Sequence, residues 1–588
     1  MNIKKTIYTG TALALFLYLS HTYLTQDYQR APDTIYTNGH IITLDKQQAF
    51  AEAMYVREGL IAEIGSDEYI NKFITDNTNT VDLQGATLMP GFIDPHTHFS
   101  VSVFLSSMHD LSGFTHQSNQ EVWDYFEKIV KESNKGEWIV CKGIDPVLVK
   151  DLRFPDMAYL NRIAPENPVL IFSQSLHNYW ANSAAFDMAG ITKDSPDPSP
   201  HSYYGKDAQG ALNGLIVEQA AIKPFFDLLK EAVLPPEKLG DMADEVMSDY
   251  AENGHTTIVS AGITINDDKP LVLFKHLSAE QPSIMGSLLE KIGMLPPRKP
   301  RPRHFIYMRH DQAALLPEKP QKDRDFYNII GIKHWYDGSP YSGTMYLQKP
   351  YLNSELTRLK LSLPEGHRGH ALRTQEAFKK FIRDYHGKGW QIAVHVQGDA
   401  AVKEVLDCFE ELDDVLDYSG SRHRLEHCLL LSKDDLPRMK KLHISPSFHI
   451  NHLYYYGEAL RSELLGPARA ANIFPLASTA ASGSMFSLHA DQPMFESKPF
   501  RLIQTAVERK TISGNLLGAT EQISLMEALK SMTLYAAWQI GMEDKIGSLE
   551  KGKYADFIIL DRNPLETPVQ QLEDIQCVQT FVHGNPVY

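Results

Sequence analysis

The stretch Leu88-Met-Pro-Gly-Phe-Ile-Asp-Pro-His96-Thr-His98 decides the reading of this chain. It reads as an apolar strand that ends in two histidines one residue apart. Alternate side chains of a strand point the same way, so His96 and His98 aim two imidazoles at one place while Thr97 faces away. Two ordinary polar histidines would give the same pattern. Position favours a metal: active sites of (β/α)8 barrels lie at the C-terminal ends of their strands, and this pair closes a first strand.

Downstream, buried strands alternate with helical patterns such as Thr374–Tyr385 and Ala400–Leu412. Eight strands are predicted: Leu88–Asp94, Thr256–Ser260, Ser283–Leu289, Ile329–Trp335, Gln391–His395, Arg422–Glu426, Leu442–Pro446 and Met485–His489. Eight strand–helix units predict an α/β chain folded as a (β/α)8 TIM barrel. The gap between the first two strands far exceeds one crossover, so Ser100–Asn253 is expected to be an insertion that covers the barrel mouth.

Three more metal donors fall at the same level of this barrel. His395 ends strand five, His427 ends strand six, and Asp491 follows strand eight. Four imidazoles and a carboxylate suit Zn or another borderline first-row ion, and such a set is hard to assign to packing.

The flanks have a different texture. Thr34–Thr37 and Ile41–Leu44 bracket Asn38-Gly39, and Ala51–Val56 and Leu60–Ile64 bracket Glu58-Gly59. Both read as hairpins. Ala555–Leu560 and Val578–Val582 are strands at the other end. A small composite β-sandwich is therefore expected from residues 32–87 and 541–588, with the barrel domain at 88–540 between its halves. Residues 1–26 carry Lys4 and Lys5 before the apolar run Ala12–Leu19, the form of a signal peptide or membrane anchor. A frayed amphipathic helix is the plainer alternative. Export to the periplasm or to an anchored extracytoplasmic position follows from the first reading.

Composition sets limits. The chain has 588 residues and a net charge of −16, which argues against a nucleic-acid binder. Its 4 cysteines form no C-x-x-C pair, which excludes a disulfide scaffold and a cysteine-type zinc module. The basic run Pro296-Pro-Arg-Lys-Pro-Arg-Pro-Arg303 reads as a solvated extended loop, with a membrane or substrate contact as the other reading. No G-x-S-x-G elbow is present.

Taken with Val394-His-Val-Gln-Gly-Asp399, Arg424-Leu-Glu-His427 and Ile546-Gly-Ser-Leu-Glu-Lys-Gly-Lys-Tyr-Ala-Asp-Phe557, the opening motif resembles the amidohydrolase superfamily, specifically the amidohydrolase 3 group. The resemblance runs from about Thr34 to the C-terminus. It implies a metal-dependent hydrolase that cleaves non-peptide C–N bonds with metal-activated water. His96, His98, His395, His427 and Asp491 match the family's ligands, and Asp491 also its general acid/base. Lys333 matches a lysine that is carboxylated and bridges two ions in binuclear members; left free, it would hold substrate. One or two divalent ions, Zn first, are the cofactors implied. Ser487-Leu-His-Ala-Asp491 departs from the usual smaller residues and sets His489 beside the site. In similar proteins the segment around His177 lines the substrate cavity, so His177 and His489 are the expected substrate contacts. A salt bridge is as good a reading of nearby Glu218. Asp399 fits either a hydrogen bond to His395 or a helix cap. A lactonase or esterase on the same site, or a noncatalytic barrel scaffold, are the alternative functions. The partners expected are a small-molecule substrate, a membrane tether through the N-terminus and further copies of the chain, with no nucleic acid.

Overall fold

The computed structural model describes residues 31–588 except 200–201, 234, 236–237, 266, 279–283 and 322–323. The segment 1–26, read above as a signal peptide or membrane anchor, lies outside the described residues. No described helix is long and apolar enough to cross a membrane.

Eight parallel strands form a nearly closed barrel: β1 (Phe92–Thr97), β2 (His255–Ile263), β3 (Arg303–Arg309), β4 (Tyr327–Trp335), β5 (Gln391–Val396), β6 (Arg424–His427), β7 (Ser445–Phe448) and β8 (Ser487–Leu488). Each pairs with its sequential neighbour, as in β5 and β6, where Val396 stands opposite His427. The ring closes at its C-terminal end. There His98 N–H donates to Gln492 O (2.7 Å), tying β1 to the chain just past β8. Strands covered on both faces lose the alternation of half-exposed ones. All nine residues of β2 are buried accordingly. Ile93, Val259, Phe305, Tyr307 and Ala393 fill the interior, so the barrel is a packed core.

One predicted strand is wrong. Ile284–Lys291, from the run assigned to strand three, is a helix. The true third strand begins at Arg303, the last residue of the basic proline run. That run is also not a solvated loop throughout, because Arg301 and Arg303 are buried. Arg303 donates to both carboxylate oxygens of Asp556 at 2.6 and 2.9 Å and lies over the Phe326 ring. A paired, stacked guanidinium can be buried where a free one cannot.

Two small sheets flank the barrel's N-terminal end. One orders Leu60–Gly65, Ala53–Arg57, Thr34–Thr37 and Asn79–Asp82. The other orders Asn585–Pro586, Cys577–Val582, Phe557–Leu560, Thr87–Pro90, His40–Ile42 and Phe50–Ala51, and so joins both ends of the chain. The turn at Glu58-Gly59 is a hairpin as expected. The one at Asn38-Gly39 is not: Thr34–Thr37 and His40–Ile42 belong to different sheets. Asn38 takes a left-handed φ of 55°, and the chain there turns a corner between layers. Thr87–Pro90 runs through Gly91 directly into β1. A Cβ on Gly91 would fall 2.1 Å from the Thr256 side chain, so only glycine lets the strand pass this close to β2.

The insertion carries its own six-stranded sheet, ordered Tyr203–Lys206, Leu212–Val217, Asn178–Ala181, Val169–Ser173, Ile139–Ile144 and His109–Asp110. It touches the loops around the mouth. Tyr456 O–H, beyond β7, donates to Asp145 (2.7 Å); Gln174 donates to Met494 O, beyond β8; Lys360, beyond β4, donates to Leu152 O (3.0 Å).

Candidate metal centre

The strand ends bring donor atoms together around Asp491. His96 Nε2 and His98 Nε2 lie 3.2 and 3.1 Å from Asp491 Oδ1. On the other side His427 Nδ1 and His449 Nδ1 lie 4.0 and 3.9 Å from Oδ2. His489 Nε2 lies 3.2 Å from His427 Nδ1. Among the described residues three overlapping groups result: His96, His427 and His489; His96, His98 and Asp491; His427, His449 and Asp491, each with donor atoms within 4.8 Å of one another. Thr97 faces away, as alternation requires: its hydroxyl meets Tyr250 of the helix Leu239–Glu252.

Neighbouring groups fix which nitrogen lone pair faces inward. His96 Nδ1–H donates to Glu426 Oε2 (2.6 Å), leaving Nε2 toward Asp491 and Lys333 Nζ, 3.3 Å away. A carboxylate behind a histidine orients the ring and raises its basicity. Burial alone would push Glu426 up, but Arg424 and His96 outweigh it and hold its carboxyl down at about 2. His449 Nε2–H donates to Ala490 O (2.8 Å), which leaves Nδ1 as the inward lone pair. Asp491 is likewise pushed up by burial and pulled well below the usual carboxylate range by His96 and His98.

His395 is placed differently. Its ring stacks edge-on to His427 with centroids 4.4 Å apart, while its Nε2–H donates to Gly338 O (3.3 Å). Asp337 pins that loop by accepting N–H bonds from Gln397, Gly398 and Tyr346 at 2.9 to 3.0 Å. Asp399 serves a helix start rather than orienting His395: it accepts from Ala400 N and Gln348 N at the start of the helix Asp399–Glu410. Lys333 is buried, and desolvation brings its amine down to about 8. His489, expected at the substrate, sits inside the donor cluster. His177 belongs to the insertion, where Glu218 accepts from its Nδ1 at 3.0 Å.

His449 is the donor that sequence reading missed. It immediately follows β7, whose end was set too early at Pro446. Once the strand is extended to Phe448, its place beside the other strand-end histidines becomes visible.

The donor set fits a divalent ion. Asp491 Oδ1 and His449 Nδ1 are buried and take no hydrogen bond of good geometry, although nitrogens crowd the former at close range. Imidazoles whose lone pairs converge on a carboxylate have little to offer one another, whereas a cation satisfies them all. Backbone strain marks the same place. His427, Cys428 and Asp491 adopt left-handed φ of 71°, 53° and 58°, a conformation that L side chains hold only where surroundings enforce it.

The amidohydrolase family model matches residues 79–588. An N-substituted formamide deformylase from Arthrobacter pascens is 26% identical over 94% of this chain and 97% of that protein. Protein LONG AFTER FAR-RED 3 from Arabidopsis thaliana is 26% identical over 95% of this chain and 91% of its own length. Among solved structures, an uncharacterized metal-dependent hydrolase from Pyrococcus horikoshii superposes with a TM-score of 0.69, at 22% identity, covering 91% of this chain and 99% of that one.

Proposed function

The chain belongs to the amidohydrolase family, and on that premise we propose that it is a metal-dependent hydrolase of non-peptide C–N bonds, acting on a small amide. The observation that carries this is the convergence of His96, His98, His427 and His449 on the strained Asp491 at the barrel mouth, with His489 against His96 and His427. The formamide specificity named for the Arthrobacter relative supports the amide class.

His96, His98, His427 and Asp491 would hold the ion, with His395, His449 and His489 beside them, and Lys333, if carboxylated, would help to hold a second. Zn is the ion such donors suit, and when bound it supplies Lewis acidity and lowers the pKa of water toward about 7. Asp491, ionised, accepts the proton of the attacking water at its carboxylate. It then delivers that proton to the leaving nitrogen, which departs poorly as an anion. His177, which Glu218 favours in its protonated form, donates its Nε2–H to the carbonyl oxygen as charge develops there. Glu426 holds the His96 ring throughout. His177 also contacts substrate from the insertion, and residues 1–26 direct export, which fractionation of the full-length chain would check.

The test is direct. Purified protein should contain a stoichiometric divalent metal and hydrolyse N-formyl or N-acyl amines. Asp491→Asn should keep its metal yet lose turnover by orders of magnitude. Near-normal turnover would sink the role of Asp491. A metal-free, inert protein would favour a scaffold, and preference for lactones would favour ester chemistry.

A further inference from the structure

Next to the donor cluster lies an imidazole for which neither strand packing nor the metal donors account. His452 sits in the helix Asn451–Ala459, which follows β7. Only 1% of its surface is exposed, and neither ring nitrogen has a hydrogen-bond partner. Its ring centroid is 3.9 Å from that of His449, 5.2 Å from Tyr341, 5.9 Å from Phe495 and 6.0 Å from Tyr456. These neighbours come from the loops after β4, β7 and β8. The Tyr341 hydroxyl is also buried without a partner. Tyr341 stacks on Tyr456 at 4.1 Å, and Asp145 of the insertion holds the Tyr456 hydroxyl in place.

A neutral imidazole has one donor and one acceptor, and proteins seldom bury both unpaired. Here they are enclosed by aromatic rings tilted or edge-on to the imidazole, one ring away from Asp491's neighbour His449, at the end of the barrel where substrate must enter. Aromatic faces prefer a flat ring. We propose that His452 is a substrate-contacting residue: with the Tyr341 hydroxyl it hydrogen-bonds the polar atoms of an amide that carries an aromatic ring, and that ring lies against Tyr341 and Phe495. The assignment rests on the amide-hydrolase reading above and adds to it the substrate class.

Formanilide and N-cyclohexylformamide form a matched pair, one ring flat and the other puckered. The full-length Zn-loaded chain would be compared with His452→Phe and His452→Gln by steady-state kinetics and by saturation-transfer NMR of each probe. The wild type should bind formanilide with the lower KM. His452→Phe keeps the aromatic ring and removes both polar atoms, and should raise that KM about tenfold with kcat little changed. His452→Gln restores a donor and an acceptor and should recover most of the loss. Should His452→Phe fail to fold, Tyr341→Phe, which removes only the unpartnered hydroxyl, should raise the formanilide KM severalfold, and an unchanged KM there would overturn the assignment. An unchanged KM in His452→Phe would overturn the assignment, since a ring that only packs or holds water would behave so. Hydrolysis with that result leaves the amide-hydrolase reading intact. Binding of formanilide that His452→Phe abolishes, with no hydrolysis by any form, leaves the subsite intact and overturns the hydrolase reading. No binding of either probe overturns the subsite.

Discussion

Glu426 shows how much of the centre depends on a residue that would touch no metal. It accepts from His96 Nδ1 and stands against the Arg424 guanidinium at 2.8 Å, with all three side chains fully buried. Glu426→Gln should keep the shape, lose the charge that fixes the His96 ring, and weaken metal binding about 10–100-fold, measured by competition with a chelator. At this scale the sequence was most informative where donors are contiguous. His96 and His98 are visible because two residues of strand bring them to one side. His449 and Glu426 were not recognised: the first because a strand end was misjudged by two residues, the second because a buried glutamate beside a ligand looks like any strand acid until its partner is known. His452 is still harder to see, since nothing local in Ile450-Asn-His-Leu453 shows that its nitrogens are unpaired.

At the scale of elements, the pairing of Arg303 with Asp556 joins the start of β3 to the strand Phe557–Leu560 across the barrel floor. Asp556 Oδ1 also accepts from His583 N (2.8 Å). Asp556→Ala leaves a guanidinium buried without its counter-charge and should cost about 3–5 kcal/mol in denaturant unfolding, with m unchanged. Gly398 is constrained for another reason. A Cβ there would fall 1.8 Å from Tyr346 O, so Gly398→Ala should push apart the loops after β4 and β5 that Asp337 holds together. The expected result is a loss of kcat larger than the loss of Tm, compared by kinetics and calorimetry. Seven barrel strands were legible from buried apolar runs between helical patterns. The third was not. Ile284-Met-Gly-Ser-Leu-Leu289 has an apolar character that suits helix or strand equally. The real strand hides behind prolines and an arginine whose counter-charge is supplied 253 residues later. The false hairpin at Asn38-Gly39 has a similar cause: turn chemistry reports a change of direction, not which sheet the chain enters next.

For the whole molecule, buried neutral histidines set the acid limit. Burial pushes His423 and His304 down to about 3, and His423 Nδ1 accepts the N–H of Ile392 (3.0 Å), which a protonated ring could not do. The unfolded chain takes up these protons near pH 6.5, the folded chain only near pH 3. Stability is therefore full above about pH 6.5 and declines as pH falls toward 3, the sign that follows when the unfolded state binds more protons. Tm measured between pH 7 and pH 4 should fall by several degrees, with a shallower decline in His423→Asn. The sheet that joins both chain ends also governs biosynthesis. Thr87–Pro90, which leads without a break into β1 and His96, pairs with Phe557–Leu560, in a register that sets Leu88 opposite Ile559. A ribosome must release nearly the whole chain before that strand, already beside His40–Ile42, gains its second neighbour, so the segment that leads to the first two imidazoles is braced on one side only until then. A premature stop anywhere ahead of residue 557 should therefore yield no weakened hydrolase but an inactive product, and chaperones would have to shelter the unfinished barrel until its final strands arrive.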